Sequence, residues 1–199
     1  MTTTTVRAAA VAALLCGLPP APAFADFLVS PYFAWTRNGD TDRWPPGGGA
    51  TADVTIGNWF TVGGDVGYAA GYFDPADDAL DLIASSHVLT VTGHAGVIYR
   101  PNNDDDARVM PYATAGFGWM RQDARDREGL ASVTRNDPSL HFGGGVYLMF
   151  TEYLGVRADL RNFRSLRDPF ENPDPIVADL DRVSFWRVSL GAVIRFGTN

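Results

Sequence analysis

The sequence predicts an all-β fold: an eight-stranded antiparallel up-and-down transmembrane β-barrel. Three observations predict it. Eight segments alternate apolar with polar residues, the connections between them alternate long with short, and the last segment ends on an aromatic residue, Phe196. Alternation has period two, the period of a strand. After the N-terminal segment no apolar run reaches the roughly 20 residues that a spanning helix needs. A membrane-crossing chain of this kind must then be a closed barrel, because only helices and closed barrels satisfy every backbone polar group in lipid.

The chain starts with what reads as an export signal. Arg7 precedes the apolar stretch 8–18, Pro19, Pro20 and Pro22 break it, and Ala23-Phe24-Ala25 places small residues where a signal peptidase reads. The expected cut precedes Asp26, so that 1–25 is the signal peptide and 26–199 the barrel domain. The apolar stretch is too short to span a bilayer. Cys16 is the single cysteine and leaves with the signal, so the mature chain is expected to hold no disulfide and no cysteine-based metal site.

Strand one is read over 27–37, with Phe27, Val29, Phe33 and Trp35 on one face. Strand two is short and polar, near 51–57. Strand three, 60–73, points Phe60, Val62, Val66, Tyr68 and Tyr72 outward and Thr61, Gly63, Asp65 and Gly67 inward. Strand four, 88–100, has Leu89, Val91, Val97 and Tyr99 out, with Thr90, Thr92 and His94 in. Strand five, 109–121, has Ala113, Ala115, Phe117 and Trp119 out, with Tyr112, Thr114, Gly116 and Gly118 in. Strand six, 140–150, has Phe142, Val146, Leu148 and Phe150 out, with His141 and Tyr147 in. Strand seven, 153–164, alternates most cleanly: Leu154, Val156, Ala158 and Leu160 against Arg157, Asp159 and Arg161. Strand eight, 183–196, has Trp186, Val188, Leu190, Ala192, Ile194 and Phe196 out, with Arg187, Ser189 and Arg195 in. Most of these segments exceed the nine or so residues with which a tilted strand crosses a membrane.

The short connections are 58–59, 101–107 and 151–152; the long ones are 38–49, 74–86, 122–138 and 165–182. Barrels of the outer membrane show this asymmetry, with short periplasmic turns and longer outside loops. The apolar faces are therefore assigned to lipid and the charges to a narrow lumen. That lumen column holds Asp53, Asp65, Arg157, Asp159, Arg161, Arg187 and Arg195. Eight strands leave an interior just wide enough for side chains, and buried charges must be paired, so these residues are expected to plug the barrel.

Three segments carry a family resemblance: FGGGVYLMFTEYLGVRADLRNFRSL (142–166), PYATAGFGWMR (111–121) and SLGAVIRF (189–196). They resemble the OmpA/OmpX-like small outer-membrane β-barrels over essentially the whole mature chain. The resemblance implies a bacterial outer-membrane location and contact with outer-membrane lipids. It also implies insertion by the barrel-insertion machinery, which would read Ser189, Gly191, Ile194 and Phe196 in the last strand. Gly197-Thr198-Asn199 follow the aromatic here, whereas such barrels usually end on it.

Other constellations are weaker. The net charge is -7 and all 16 basic residues are Arg, with no basic stripe, which argues against a nucleic-acid partner. His94 and His141 are inward, and Ser139 lies two residues before His141, but no Gly-x-Ser-x-Gly or ordered acid–base set accompanies them. No catalytic residue and no enzymatic activity are expected. Asp74, Asp77, Asp78 and Asp81, and Asp104 to Asp106, do not match a calcium loop. Gly47 to Gly49 and Gly143 to Gly145 lack the Lys-Ser/Thr and the helix of a phosphate cradle. No metal or cofactor is expected. The favoured role is a monomeric structural or surface-interaction barrel. The alternative is a narrow channel for small or apolar solutes, followed by a lipid-modifying barrel enzyme and a soluble lipocalin-like binder.

Overall fold

A computed structural model describes residues 25–38, 44–71, 83–101, 107–126, 132–166 and 184–197. The strands are β1 (Ala25–Asn38), β2 (Pro46–Ile56), β3 (Phe60–Ala70), β4 (Ile83–Ile98), β5 (Val109–Asp126), β6 (Ser132–Met149), β7 (Leu154–Ser165) and β8 (Ser184–Phe196). Each pairs antiparallel with its sequence neighbours, and β8 closes on β1. One circuit of the register starts at Leu28 opposite Asp53, passes Gly63, His94, Gly116, His141, Phe163 and Phe185, and returns to β1 at Asn38. The stagger is thus the ten positions from 28 to 38, and it fixes the strand tilt and the bore of an eight-stranded barrel.

The assigned faces hold for the residues described. Phe33, Trp35, Val66, Val91, Phe117, Trp119, Leu148, Leu160 and Leu190 are exposed on the outer wall, while the alternate positions are buried. Aromatic side chains gather at both rims of that wall. Trp35, Trp44, Trp119 and Trp186 stand toward the long-loop end; Trp59, Tyr99, Tyr153 and Phe196 stand toward the short-turn end. Tyr72, the export signal and the acidic runs at 74–81 and 104–106 lie outside the described residues.

β4 starts at Ile83, inside the connection read as 74–86, and two further elements differ from the sequence reading. β2 is a full strand of 11 residues that takes in Gly47 to Gly49. Glycine carries no apolar signal, yet it is required here: a Cβ at Gly49 would lie 2.5 Å from the Tyr32 hydroxyl. The second difference is the β5–β6 hairpin, where pairing continues out to Arg125 opposite Ser132, so that 122–138 is largely strand. Polar residues occupy both faces of that extension, with Arg121, Asp123 and Thr134 outside and Gln122 and Asp137 buried inside, so no apolar period marks it. Arg121 and Thr134 instead donate to Asp123 on its outer face. The expected alternation of long and short connections therefore breaks at this pair: the five residues 127–131 join β5 to β6, whereas the ten residues 99–108 join β4 to β5.

Candidate functional site

The lumen is layered. An apolar cluster of Leu28, Ile98, Met110, Tyr112, Tyr147, Met149 and Val193 fills the short-turn half. A second one, Val88, Met120, Phe163 and Phe185, lies toward the long loops. Between them sits a layer of ionisable side chains shut off from solvent: Arg161 is 0% exposed, Asp53 1%, Asp65 2%, Arg157 3%, Arg187 4% and Asp159 5%.

Each carboxylate in the layer is held by more than one donor. Asp159 receives Arg157 Nη2 at 3.0 Å, Arg161 Nε at 3.0 Å and the Tyr112 hydroxyl. Asp65 receives Arg187 Nη2 at 2.8 Å and the Tyr32 hydroxyl at 3.1 Å, with Arg161 Nη1 at 3.6 Å. Asp53 contacts His94 Nε2 at 2.5 Å, Tyr147 hydroxyl at 3.2 Å and Arg157 Nη1 at 3.3 Å. Arg157 also donates to the Thr51 hydroxyl. Three carboxylates therefore face three guanidinium groups, and the bridging arginines, Arg157 and Arg161, link all three acids into one set.

Aromatic rings hold the arginines in place. Arg157 lies 5.0 Å from the Tyr112 ring centroid and 5.4 Å from that of Tyr147; Arg187 lies 4.6 Å from Phe163 and 5.0 Å from Tyr32. Such desolvated cation–π contacts are worth up to about 2 kcal/mol each. His141 stacks on Phe163 at 5.1 Å, and His94 meets His141 edge-on at 5.9 Å. Interior glycines make room for these groups. A Cβ at Gly63 would stand 2.3 Å from Asp53 Oδ1, and one at Gly67 would stand 2.3 Å from Arg187 Nη1.

Of the seven lumen residues singled out by sequence, the structure brings Asp53, Asp65, Arg157, Asp159, Arg161 and Arg187 together. Arg195 stands apart at the short-turn rim, where Arg195 Nη2 and Arg100 Nη2 converge on Asp26 Oδ2 at 2.7 and 2.5 Å. Tyr32, Tyr112, Tyr147 and His94 were not recognised as members of the charged set, although inward parity was the signal available for them. Ser189 is buried on the lumen side of β8, while Ile194 and Phe196 face outward. Gly191 packs against Pro31 and Tyr32 of β1 at the barrel seam. Ser139 and His141 are buried inside the lumen, and His87 lies on the outer wall, 3.1 Å from Asp123. Among the described residues no group of three or more His, Cys, Asp or Glu is placed to hold a metal ion.

A closed eight-stranded barrel, apolar outside, ringed with aromatics and filled with paired charge, defines a transmembrane β-barrel of the outer-membrane type. The chain belongs to the outer membrane protein beta-barrel domain family, whose model matches residues 8–196. Solved structures share the fold at low identity. Neisserial surface protein A aligns with a TM-score of 0.63 and 14% identity, covering 89% of this chain and all of that one. The outer membrane protein OprG of Pseudomonas aeruginosa aligns with a TM-score of 0.59 and 12% identity over 87% of this chain and 97% of its own. Ail, the attachment invasion locus protein of Yersinia pestis, aligns with a TM-score of 0.52 and 18% identity over 86% and 97%. No curated protein matches the chain in sequence.

Proposed function

We propose that the protein is a closed, monomeric outer-membrane barrel whose role is structural or surface-interacting rather than solute-conducting. It reaches the membrane by an export signal cut before Asp26 and by an insertion signal in β8. The observation that carries this reading is the sealed mid-lumen layer. Arg161 and its partners fill the cross-section, and apolar side chains close the bore on both sides of them. An ion passing through would have to displace buried, hydrogen-bonded pairs whose separation costs about 3–5 kcal/mol each. What then meets the outside medium is the long-loop end, including the β5–β6 hairpin that continues past the girdle.

Planar-bilayer recording of the refolded protein tests the proposal. Wild type is expected to give no long-lived conductance steps near neutral pH. Large, stable steps that persist unchanged in Asp159→Asn would overturn both the plug and the role assigned here, in favour of the narrow channel.

A further inference from the structure

We infer that the outer wall of β6, β7 and β8, at the level of the long-loop girdle, carries a binding site for a phosphorylated lipid of the outer leaflet, with Arg164 as the phosphate ligand. This rests on the reading of the chain as a membrane barrel with its long loops outside. Arg164 is exposed on β7, between Leu140 of β6 and Ser184 of β8 in the register. Its Nε donates to Asn162 Oδ1 at 2.9 Å, and its guanidinium carbon lies 5.5 Å from the centroid of the Phe142 ring. Among the described residues no carboxylate pairs with it. Elsewhere toward the long loops, Arg121 is matched by Asp123 at 2.9 Å and Arg135 by Asp137 at 2.7 Å.

The support beneath Arg164 is unusual for a lipid-facing wall. Asn162 sits on the outward column of β7 but is only 2% exposed, in register with Phe142 on one side and Trp186 on the other. Those two rings close over it, 6.4 Å apart at 81°. A side-chain amide on such a wall is costly unless its hydrogen bonds are made. Here the amide nitrogen donates to Phe185 O at 3.3 Å and the amide oxygen accepts from Arg164. A neutral group therefore fixes the cation in place without cancelling its charge, and the terminal amino groups of the guanidinium are left to bind. Arginine's fork fits phosphate oxygens bidentately. Below it the wall is apolar, with Leu160 and Leu190 exposed where acyl chains would lie, which favours a lipid over a free ion.

The test uses the full-length mature protein in phosphatidylcholine nanodiscs doped with a diphosphorylated glycolipid (lipid A) or its dephosphorylated form. Native mass spectrometry counts the glycolipid retained. Wild type is expected to retain the phosphorylated form selectively. Arg164→Gln should lower that retention about tenfold, the loss of a charge-assisted hydrogen bond. Arg121→Gln should leave it unchanged. Trp186→Leu, which keeps Arg164, should weaken retention while preserving phosphate selectivity, and provides a second readout if Arg164→Gln folds poorly. Retention that ignores the phosphates, or that survives Arg164→Gln, overturns the inference. Competition by millimolar inorganic phosphate also overturns it, assigning Arg164 to a free ion. A heat-modifiable band on gels reports separately on the barrel: its absence in wild type would refute the membrane reading, whereas its presence without phosphate selectivity refutes only the lipid site.

Discussion

Removing the Asp159 side chain isolates what holds the lumen together. Asp159 accepts from Arg157 at 3.0 Å, from Arg161 at 3.0 Å and from the Tyr112 hydroxyl. Without it, Arg157 keeps Asp53 at 3.3 Å and Thr51. Arg161 keeps only Asp65, at 3.6 Å, and that carboxylate is already bound by Arg187 at 2.8 Å. The layer then carries one uncompensated positive charge at a site with no exposure to solvent. Breaking a buried pair from one side costs about 3–5 kcal/mol, and Asp159→Ala should fall in that range. Asp159→Asn keeps an acceptor oxygen and should cost less. The assay is equilibrium unfolding in urea of protein refolded into vesicles, followed by tryptophan fluorescence. The double variant Asp159→Leu/Arg161→Met should recover most of the loss, because it leaves Asp53, Asp65, Arg157 and Arg187 balanced and substitutes apolar volume. A cost below about 1 kcal/mol, the value of an exposed pair, would refute the reasoning. So would a double variant no more stable than Asp159→Ala.

Three further outcomes follow from the same geometry. Leu190→Arg, on the lipid face of β8 opposite Ala158, should cost about 2–4 kcal/mol in the same unfolding assay, and a neutral effect would reject the assigned face. Gly116→Ala should cost about 1–3 kcal/mol through overpacking, since its Cβ would stand 2.2 Å from Gly93 O and 2.4 Å from His141 Cε1; an unchanged stability would show that the histidine row yields. On the hairpin beyond the girdle, hydrogen bonds from Arg121 and Thr134 hold the Asp123 carboxyl down at about 2. A carboxyl depressed by folding adds stability above its unfolded pKa of about 3.9, and that contribution disappears as pH falls from about 4 to 2. Amide protection factors around Asp123 and Thr134, corrected for intrinsic exchange, should therefore drop across that interval in wild type and stay level in Asp123→Asn.

The strand set was legible where one face meets lipid and the other is buried, because the two environments impose opposite residue types at period two. β7 and β8 are the clearest cases, and their charges were assigned to the correct side. Legibility failed where that contrast disappears. The glycines of β2 are silent as hydrophobicity, and their meaning lies on other strands, in Tyr32 on β1 and Val66 on β3. The β5–β6 extension carries polar residues on both faces, so its Arg, Asp and Thr residues read as loop. The lumen set shows the same limit. Parity picked out the charged side chains, but which of them meet depends on a ten-position stagger that no single strand encodes. Arg195 has the same parity as Arg187 yet lies eight positions further along β8, at the rim with Asp26.

The interior is best understood as a volume problem solved with glycine and arginine together. A bore of eight strands has little room, yet the layer seats three arginines, three tyrosines and two histidines. Several of these side chains cross above a position that has no side chain: Tyr32 over Gly49 and Gly67, Arg187 over Gly67, Tyr112 over Gly145, and His141 over Gly116. Filling the space with leucine alone would satisfy area burial but would not fix the circuit, because apolar contacts tolerate sliding. Directed contacts do not. Asp53 reaches His94 only because Gly63 lies between them in the register, and a shift of two residues in either strand would break that contact. Buried ion pairs add little net stability over apolar replacements, so the charged layer is better explained as fixing strand order and stagger. On that account, apolar replacement of the whole layer should preserve unfolding free energy while broadening the register, seen as multiple amide resonances for β2 and β3; a single sharp set would refute it.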